Sequence, residues 1–186
     1  MQIQVRFGNI GDIEGIIAVA AETFPQDFNF GRGFSREQCQ DFFLRALDDP
    51  NEFVVVVVRD DEVLGFIHYE NKPPTNGTVY LNMIGVRKDV QGQGVGTVLL
   101  QQGDAFVVDH LRNRLGISNL ATIWLSTSAD NPVGQQLYLK CGYECCGEIR
   151  GMVGEGNIEL AMVKKIADVK YNIGERWVTS KERRSK

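Results

Sequence analysis

The chain has 186 residues and a formal net charge of -4, and hydrophobic residues make up 43% of it. This length suits one domain that buries about 70% of its unfolded surface and needs no stabilising disulfide or metal. The acidic balance argues against general affinity for nucleic acid, and no apolar run reaches the roughly 18 residues of a membrane span. We therefore expect a soluble, cytoplasmic protein without nucleic-acid or membrane partners.

The first half of the chain, after a short opening strand, predicts two helices and a hairpin. Asn9 caps the first helix, whose apolar residues recur at helical spacing as far as Phe24. Residues 35–38 form a capping box that begins the second helix. An unbroken apolar run then predicts a strand buried on both faces, and the two-residue turn Asp60-Asp61 joins it to its antiparallel neighbour.

The second half predicts three more strands, two more helices and a seventh, final strand. A strand at 79–86 precedes a helix at 97–111, and Asn131 caps a last helix that ends at Gly142. The order β-α-α-β-β-β-α-β-α-β-β indicates an α/β fold with a mixed sheet and helices on both faces. We expect this domain to span 1–165 and a basic C-terminal extension, partly docked with a disordered end, to span 166–186.

A glycine-rich loop, Gln91-Gly92-Gln93-Gly94-Val95-Gly96, separates the predicted strand and helix. Glycines lack the Cβ atoms that keep a ligand away from the backbone, and they permit positive φ angles. Because the loop runs into a helix, its free N–H groups and the positive end of the helix dipole predict a diphosphate site. The spacing is not that of a dinucleotide fingerprint, and no Gly-Lys-Ser/Thr triplet follows, so the loop does not indicate NAD or ATP.

Two blocks of sequence carry a family resemblance. Ile84-Gly85-Val86, a four-residue link and the glycine loop resemble the acetyl-CoA signature of the GCN5-related N-acetyltransferases (GNAT family). Residues 131–138, followed by Gly142-Tyr143, resemble the second block of that family, with Gly134 in place of the usual alanine. The resemblance implies a central, mostly antiparallel sheet of about seven strands. It also implies transfer of the acetyl group of acetyl-CoA to a primary amine by direct attack in a ternary complex.

The resemblance also implies the roles of individual residues at the coenzyme site. The pantetheine arm is expected to pair with the main chain of Ile84 and Val86, and Gly85 fits a bulge that opens this strand edge. Tyr138 is expected to protonate the departing thiolate as general acid. The implied coenzyme-binding residues are Ile84, Gly85, Val86, Gln91, Gly92, Gln93, Gly94, Val95, Gly96, Thr97, Asn131 and Tyr138.

The general base of many family members is missing from its usual position. Those members have a glutamate four residues before the strand-ending Val86, where this chain has Asn82. An amide cannot accept a proton, which leaves an α-amine substrate that needs only water, another base, or no catalysis. The candidate bases are Glu22, Asp27, His68 and Glu70, and Glu70 is favoured as a catalytic residue because it ends the adjacent strand.

The amine-binding residues are expected in a variable loop and on the neighbouring strand. The loop contributes Phe24, Phe28 and Phe30, the strand contributes Asn82, and the three phenylalanines equally suit the packing of an ordered loop. The substrate is expected to be a small molecule or a peptide N-terminus, and the protein a monomer or homodimer. No metal is expected, because the cysteines and histidines show no ligand spacing. The alternative function is a catalytically silent acyl-CoA-binding sensor or interaction module.

Overall fold

The computed structural model describes residues 3–24, 35–71, 77–116, 120–152 and 154–167. Its elements follow the predicted order, with short 3-10 turns at Ile10–Asp12 and Lys88–Val90 in addition. The expected extension from 168 onward lies outside the described residues. The elements are β1 (Gln4–Phe7), α1 (Ile13–Thr23), α2 (Arg36–Asp48), β2 (Glu52–Arg59), β3 (Glu62–Glu70), β4 (Thr78–Val86), α3 (Val95–Asn113), β5 (Thr122–Ser128), α4 (Pro132–Lys140), β6 (Glu144–Arg150) and β7 (Ile158–Lys165).

The seven strands form one sheet in the order β1-β2-β3-β4-β5-β7-β6. Every neighbouring pair is antiparallel except β4 and β5, which run parallel. A parallel pair needs a long crossover, and α3 supplies it. The predicted mixed, mostly antiparallel sheet is confirmed.

Two apolar cores lie on the two faces of the sheet, and the valine-rich strand β2 takes part in both. Val54, Val56 and Val58 pack with α1 and α2, whereas Val55 and Val57 pack in the core that contains α3. Successive side chains of a strand point to opposite faces, so a strand covered on both sides must be apolar throughout. The predicted placement of helices on both faces is therefore confirmed.

The predicted starts of α2 and α4 are confirmed, α3 begins at Val95 instead of 97, and the first helix differs in its cap. Asn9 accepts a hydrogen bond from the N–H of Gly11, and Asp12 accepts one from the N–H of Asn9, which completes a capping box. This box caps a 3-10 turn, however, and Ile10 in that turn is 75% exposed. The apolar face of the helix therefore begins at Ile13. In the described part of the chain, no helix combines the length and apolar character that a membrane crossing requires.

The parallel strands β4 and β5 separate soon after they start. They pair only from Thr78 opposite Thr122 to Tyr80 opposite Trp124. Beyond this point β4 continues along β3 to Val86, while β5 stays paired with β7. A gap therefore opens along the edge of β4 between residues 81 and 86.

A β-bulge lies in β4, but not where the sequence predicted it. His68 is opposite Met83 and Tyr69 is opposite Leu81, so Asn82 is the extra residue. The expected bulge at Gly85 is wrong, because Gly85 pairs in regular register with Phe66. A Cβ atom at Gly85 would lie 2.8 Å from the Phe66 ring, so glycine is required here by packing instead.

Candidate active site

The glycine loop presents free backbone donors at the start of α3. Gly92 and Gly94 have φ angles of +73° and +85°, in the left-handed region that glycine adopts readily. Gly94 caps α3 without a side-chain hydrogen bond, and the first turn holds no acidic residue. The first N–H groups of a helix lack intrahelical partners, and the backbone hydrogen bonds of the described loops use none of the N–H groups of 92–97. The loop therefore has the free donors that the predicted anion site requires, and the site itself stays a prediction.

Side chains that fold back onto the main chain hold this loop in shape. The Nε2 of Gln91 donates to the carbonyl of Val86 across 2.8 Å, and the Nε2 of Gln93 donates to that of Asp89 across 2.9 Å. Glu22 accepts a hydrogen bond of 3.0 Å from the N–H of Lys88. Glu22 therefore anchors the end of α1 to the loop, which makes it a poor candidate for the base.

Gly96 lies at the junction where the start of α3 meets α4 and the end of β4. A Cβ atom there would lie 3.4 Å from Leu137 and 3.5 Å from Val86, which are ordinary van der Waals distances. Packing within the protein therefore does not require glycine at this position. The missing side chain leaves room beside the loop, between the half-buried Thr97 and the exposed Gly94.

Asn131 has a structural role in this structure. Its Oδ1 accepts a hydrogen bond of 3.0 Å from the N–H of Gly134, and its Nδ2 donates to Thr127 Oγ1 across 3.3 Å. The first bond caps α4, which has Pro132 in its first turn, and the second ties the cap to β5. The side chain expected to contact the coenzyme is thus already engaged in holding the helix.

Tyr138 carries a buried hydroxyl that lacks a hydrogen-bonding partner among the described residues. The side chain is 6% exposed, and its ring lies 5.9 Å from that of Tyr143. No hydrogen bond to the Tyr138 hydroxyl forms within the described residues. Burial raises the pKa of Tyr138 above its ordinary value, and the neighbouring Tyr80 raises it further. The phenol is therefore a neutral donor, and such an unsatisfied buried group costs stability unless a ligand pairs with it.

A chain of polar side chains crosses β2, β3 and β4 on the face covered by α1 and α2. Glu52 Oε2 lies 2.7 Å from Nε2 of His68, whose Nδ1 lies 3.2 Å from Nδ2 of Asn82. The same Asn82 nitrogen donates to Glu70 Oε1 across 2.7 Å. The structure therefore brings together the predicted residues Asn82 and Glu70 with His68, and it adds Glu52.

Three residues of this hydrogen-bonded chain also offer atoms of the kinds that bind metal ions. Glu52, His68 and Glu70 offer ligand atoms within 4.8 Å of one another, and they are the metal-competent group among the described residues. However, Glu52 lies at Nε2 of His68, whereas Glu70 is 4.0 Å from Nδ1 on the other side of the ring. Both ring nitrogens of His68 face hydrogen-bonding partners in the structure, Glu52 at Nε2 and Asn82 at Nδ1.

Two aromatic residues flank this chain where β4 and β5 separate. Tyr80 is opposite Glu70 in the sheet, and the rings of Tyr80 and Trp124 lie 4.4 Å apart. Beyond β5, Glu159 of β7 is 8% exposed, and burial raises its pKa while a hydrogen bond from Ser126 partly lowers it. No sequence motif marks these residues, because only strand register places them on one face.

The phenylalanines predicted to bind the amine are only partly described. Phe24 follows α1 and packs, half-buried, against the core beneath α1 and α2, which favours a structural role. Phe28 and Phe30 lie outside the described residues, as does the candidate base Asp27.

Comparison with protein families matches residues 14–143 to the acetyltransferase (GNAT) family. A search of curated proteins finds no significant match to the sequence.

Solved structures of several acetyltransferases share the fold. A putative GNAT acetyltransferase from Desulfovibrio desulfuricans is 20% identical with a TM-score of 0.69, covering 89% of this chain and 100% of that one. The ribosomal-protein-S18-alanine N-acetyltransferase of Escherichia coli is 18% identical with a TM-score of 0.67, covering 92% and 99%. A point mutant of the spermidine N-acetyltransferase SpeG from Vibrio cholerae is 19% identical with a TM-score of 0.68, covering 88% and 94%.

Proposed function

Because the chain belongs to the GNAT acetyltransferase family, we propose that it is an acetyl-CoA-dependent N-acetyltransferase acting on a primary amine in a ternary complex. Acetyl-CoA, the co-substrate, supplies the acetyl group as a thioester. The amine nitrogen bonds to the carbonyl carbon, the carbon–sulfur bond breaks, and the sulfur gains a proton as the amine loses one. The structural neighbours named for spermidine and for a ribosomal protein act on amines, which supports this substrate class.

The residues of the chain fit this co-substrate. The free N–H groups of 92–97 suit the pyrophosphate. The edge of β4 at 81–86, which β5 does not pair and where Gln91 binds the Val86 carbonyl, suits an extended, amide-containing arm. The observation that carries the proposal is the buried hydroxyl of Tyr138, which has no partner among the described residues and lies on a helix packed against Gly96. A neutral phenol in this position donates a proton or a hydrogen bond to the leaving sulfur.

Glu70 is the proposed general base. Its Oε1 accepts from Asn82, and its Oε2 has no partner within the described residues. The side chain is 24% exposed, so a proton taken up there passes on to solvent. With this carboxylate present, an amine with a pKa near 10 is a feasible substrate, because the base removes the proton that such an amine retains at neutral pH.

Two measurements on the same preparation test the proposal. Calorimetric titration with acetyl-CoA establishes binding, and thiol release is then followed over N-terminal peptides, lysine peptides, polyamines and aminoglycosides, with products identified by mass spectrometry. Binding together with acetylation of at least one amine class is the expected result. Binding without turnover on any amine favours the silent acyl-CoA-binding module, and absence of binding contradicts both functions.

A further inference from the structure

His68 is a fully buried imidazole that the proposed proton transfers do not use. It lies between polar groups of the two neighbouring strands, with Glu52 at one ring nitrogen and Asn82 at the other. The ring of Phe42 from α2 covers it edge-on, with centroids 5.2 Å apart. A buried polar ring bonded at both nitrogens is held in one orientation.

The carboxylate of Glu70 fixes which way the amide of Asn82 points. The Asn82 atom 2.7 Å from Glu70 Oε1 must be the nitrogen, because an amide oxygen there would face an ionised acceptor. The second hydrogen of that nitrogen is then available to His68 Nδ1 at 3.2 Å. Nδ1 accepts this bond, so the ring proton resides on Nε2 and is donated to Glu52 across 2.7 Å.

This arrangement leaves the oxygen of Asn82 available. Both hydrogens of its amide nitrogen are directed at residues of β3, so Oδ1 faces away from that strand. Beyond Tyr80, the other side of β4 is the gap left by β5. No donor of the described residues bonds to Oδ1. A half-buried oxygen at the edge of the gap suits a hydrogen bond from an amine.

We propose that His68 and Glu52 are positioning residues that lock the amide of Asn82, so that its Oδ1 accepts a hydrogen bond from the substrate amine beside Glu70. This inference rests on the proposed acetyl transfer. Asn82 thereby orients the nitrogen that attacks, while Glu70 removes its proton. His68 acts through Asn82 and does not touch the substrate.

Three variants of His68 separate this role from simple packing. His68→Asn places an amide near the position of Nδ1 and keeps an acceptor for Asn82, whereas His68→Gln reaches the position of Nε2 and keeps only the bond to Glu52. His68→Leu removes both bonds. Phe42→Leu is the matched control, because it disturbs packing on the ring without changing a polar contact.

We expect kcat/KM for the amine to fall about tenfold or more in His68→Gln and His68→Leu. In both variants the half-buried Asn82 amide nitrogen loses its acceptor, His68 Nδ1, and an unpaired buried donor has a cost of this size. His68→Asn should stay within about threefold of the wild type, and so should Phe42→Leu. The acetyl-CoA dissociation constant should be unchanged in all four. Equal losses in His68→Asn and His68→Gln, or a loss shared by Phe42→Leu, would overturn the proposal.

A second measurement does not depend on turnover. In ¹⁵N NMR spectra of the intact protein, His68 should show a protonated Nε2 and an unprotonated Nδ1. The side-chain NH₂ signals of Asn82 should be shielded from exchange in the wild type and His68→Asn, and exposed in His68→Gln. A proton on Nδ1 contradicts the positioning role. Exchange rates of the Asn82 NH₂ signals that are the same in all variants contradict it as well. If the wild type shows these NMR signals but no turnover on any amine, the proposed acetyl transfer is wrong, whereas the locking of Asn82 by His68 stands.

Discussion

The side-chain amide of Asn82 donates a hydrogen bond of 2.7 Å to Oε1 of Glu70 on the neighbouring strand. The contact forms because Asn82 is the extra residue of the bulge between β3 and β4, on the face covered by α1 and α2. The residue found in place of the usual glutamate is therefore in contact with a carboxylate. This geometry makes Glu70 the residue whose replacement most directly tests the chemistry.

Glu70→Gln should lower kcat by about 100-fold or more with a high-pKa amine, because removal of a general base typically costs at least that factor. The variant keeps an oxygen that accepts from Asn82, so the fold should be preserved. For an α-amine, with a pKa near 7.7, the loss should be smaller, since part of that substrate is already neutral. Steady-state kinetics with one substrate of each class measure the difference.

The matched control for this prediction is Glu144→Gln, which removes an exposed carboxylate on the edge strand β6. It should leave kcat unchanged for both amines. Equal activity of Glu70→Gln and the wild type on the high-pKa amine would exclude Glu70 as the base and make the buried Glu159 of β7 the next residue to test.

Tyr138→Phe should lower kcat without destabilising the protein. Its hydroxyl is buried and lacks a partner within the described residues, so its removal relieves a desolvation cost of about 1–3 kcal/mol. We expect an unfolding temperature equal to or above that of the wild type and a slower, but not abolished, thiol release. Thermal unfolding of the free protein and steady-state kinetics give the two values.

Tyr143→Phe is the opposite case and serves as the comparison. The Tyr143 hydroxyl donates to the buried carboxylate of Asp104, at 3.1 and 3.2 Å from its two oxygens. Its loss should lower the free energy of unfolding by about 1–3 kcal/mol, with little effect on kcat. A Tyr138→Phe variant that is destabilised to the same extent at unchanged kcat would assign Tyr138 to the core.

Gly96→Ala should separate ligand binding from folding. The new Cβ meets Leu137 and Val86 at ordinary contact distances, and alanine favours the helix by about 0.5–1 kcal/mol. Stability should therefore be equal or higher, whereas the methyl group should obstruct the junction and weaken acetyl-CoA binding about tenfold or more. Gly147→Ala, on β6 with open space around it, is the control. Unchanged affinity in Gly96→Ala would place the co-substrate away from this junction.

Local signals in the sequence predicted much of this fold. Asn9 with Asp12, and Ser35 with Gln38, satisfy helix N–H groups within a few residues, so their roles do not depend on the rest of the chain. The positive φ angles of the glycine loop likewise follow from local residues, although Glu22 of α1 also anchors the segment before it.

The polar chain at the site was not predictable in the same way. Counting back along the hairpin from Arg59 opposite Glu62 would place Glu52 opposite Tyr69. A register shift between Val57 and Val58 instead places Glu52 opposite Glu70, on the same face as His68. A register shift of one residue moves every side chain of a strand to the opposite face of the sheet. No local sequence pattern predicts where such a bulge occurs.

The ion pair joins half-buried Lys164 to buried Asp104, and replacing Lys164 should make the free energy of unfolding depend on pH. Lys164 Nζ lies 2.8 Å from Asp104 Oδ2, and the carboxylate also accepts from Tyr69. Burial raises the pKa of Asp104, and the bond from Lys164 opposes that shift. Lys164→Met removes the opposing charge, so the pKa should rise further.

A carboxyl with a raised pKa contributes its stability below the unfolded pKa of about 3.9 and loses it as the pH rises through the folded pKa. Lys164→Met should therefore be destabilised by about 3 kcal/mol at pH 7, and by progressively less as the pH falls towards 4. Denaturant unfolding at several pH values measures this trend. The double variant Asp104→Asn with Lys164→Met carries neither charge, so its deficit should not vary over this range. A deficit in Lys164→Met that stays constant from about pH 7 to about pH 4.5 would show that Asp104 does not titrate there.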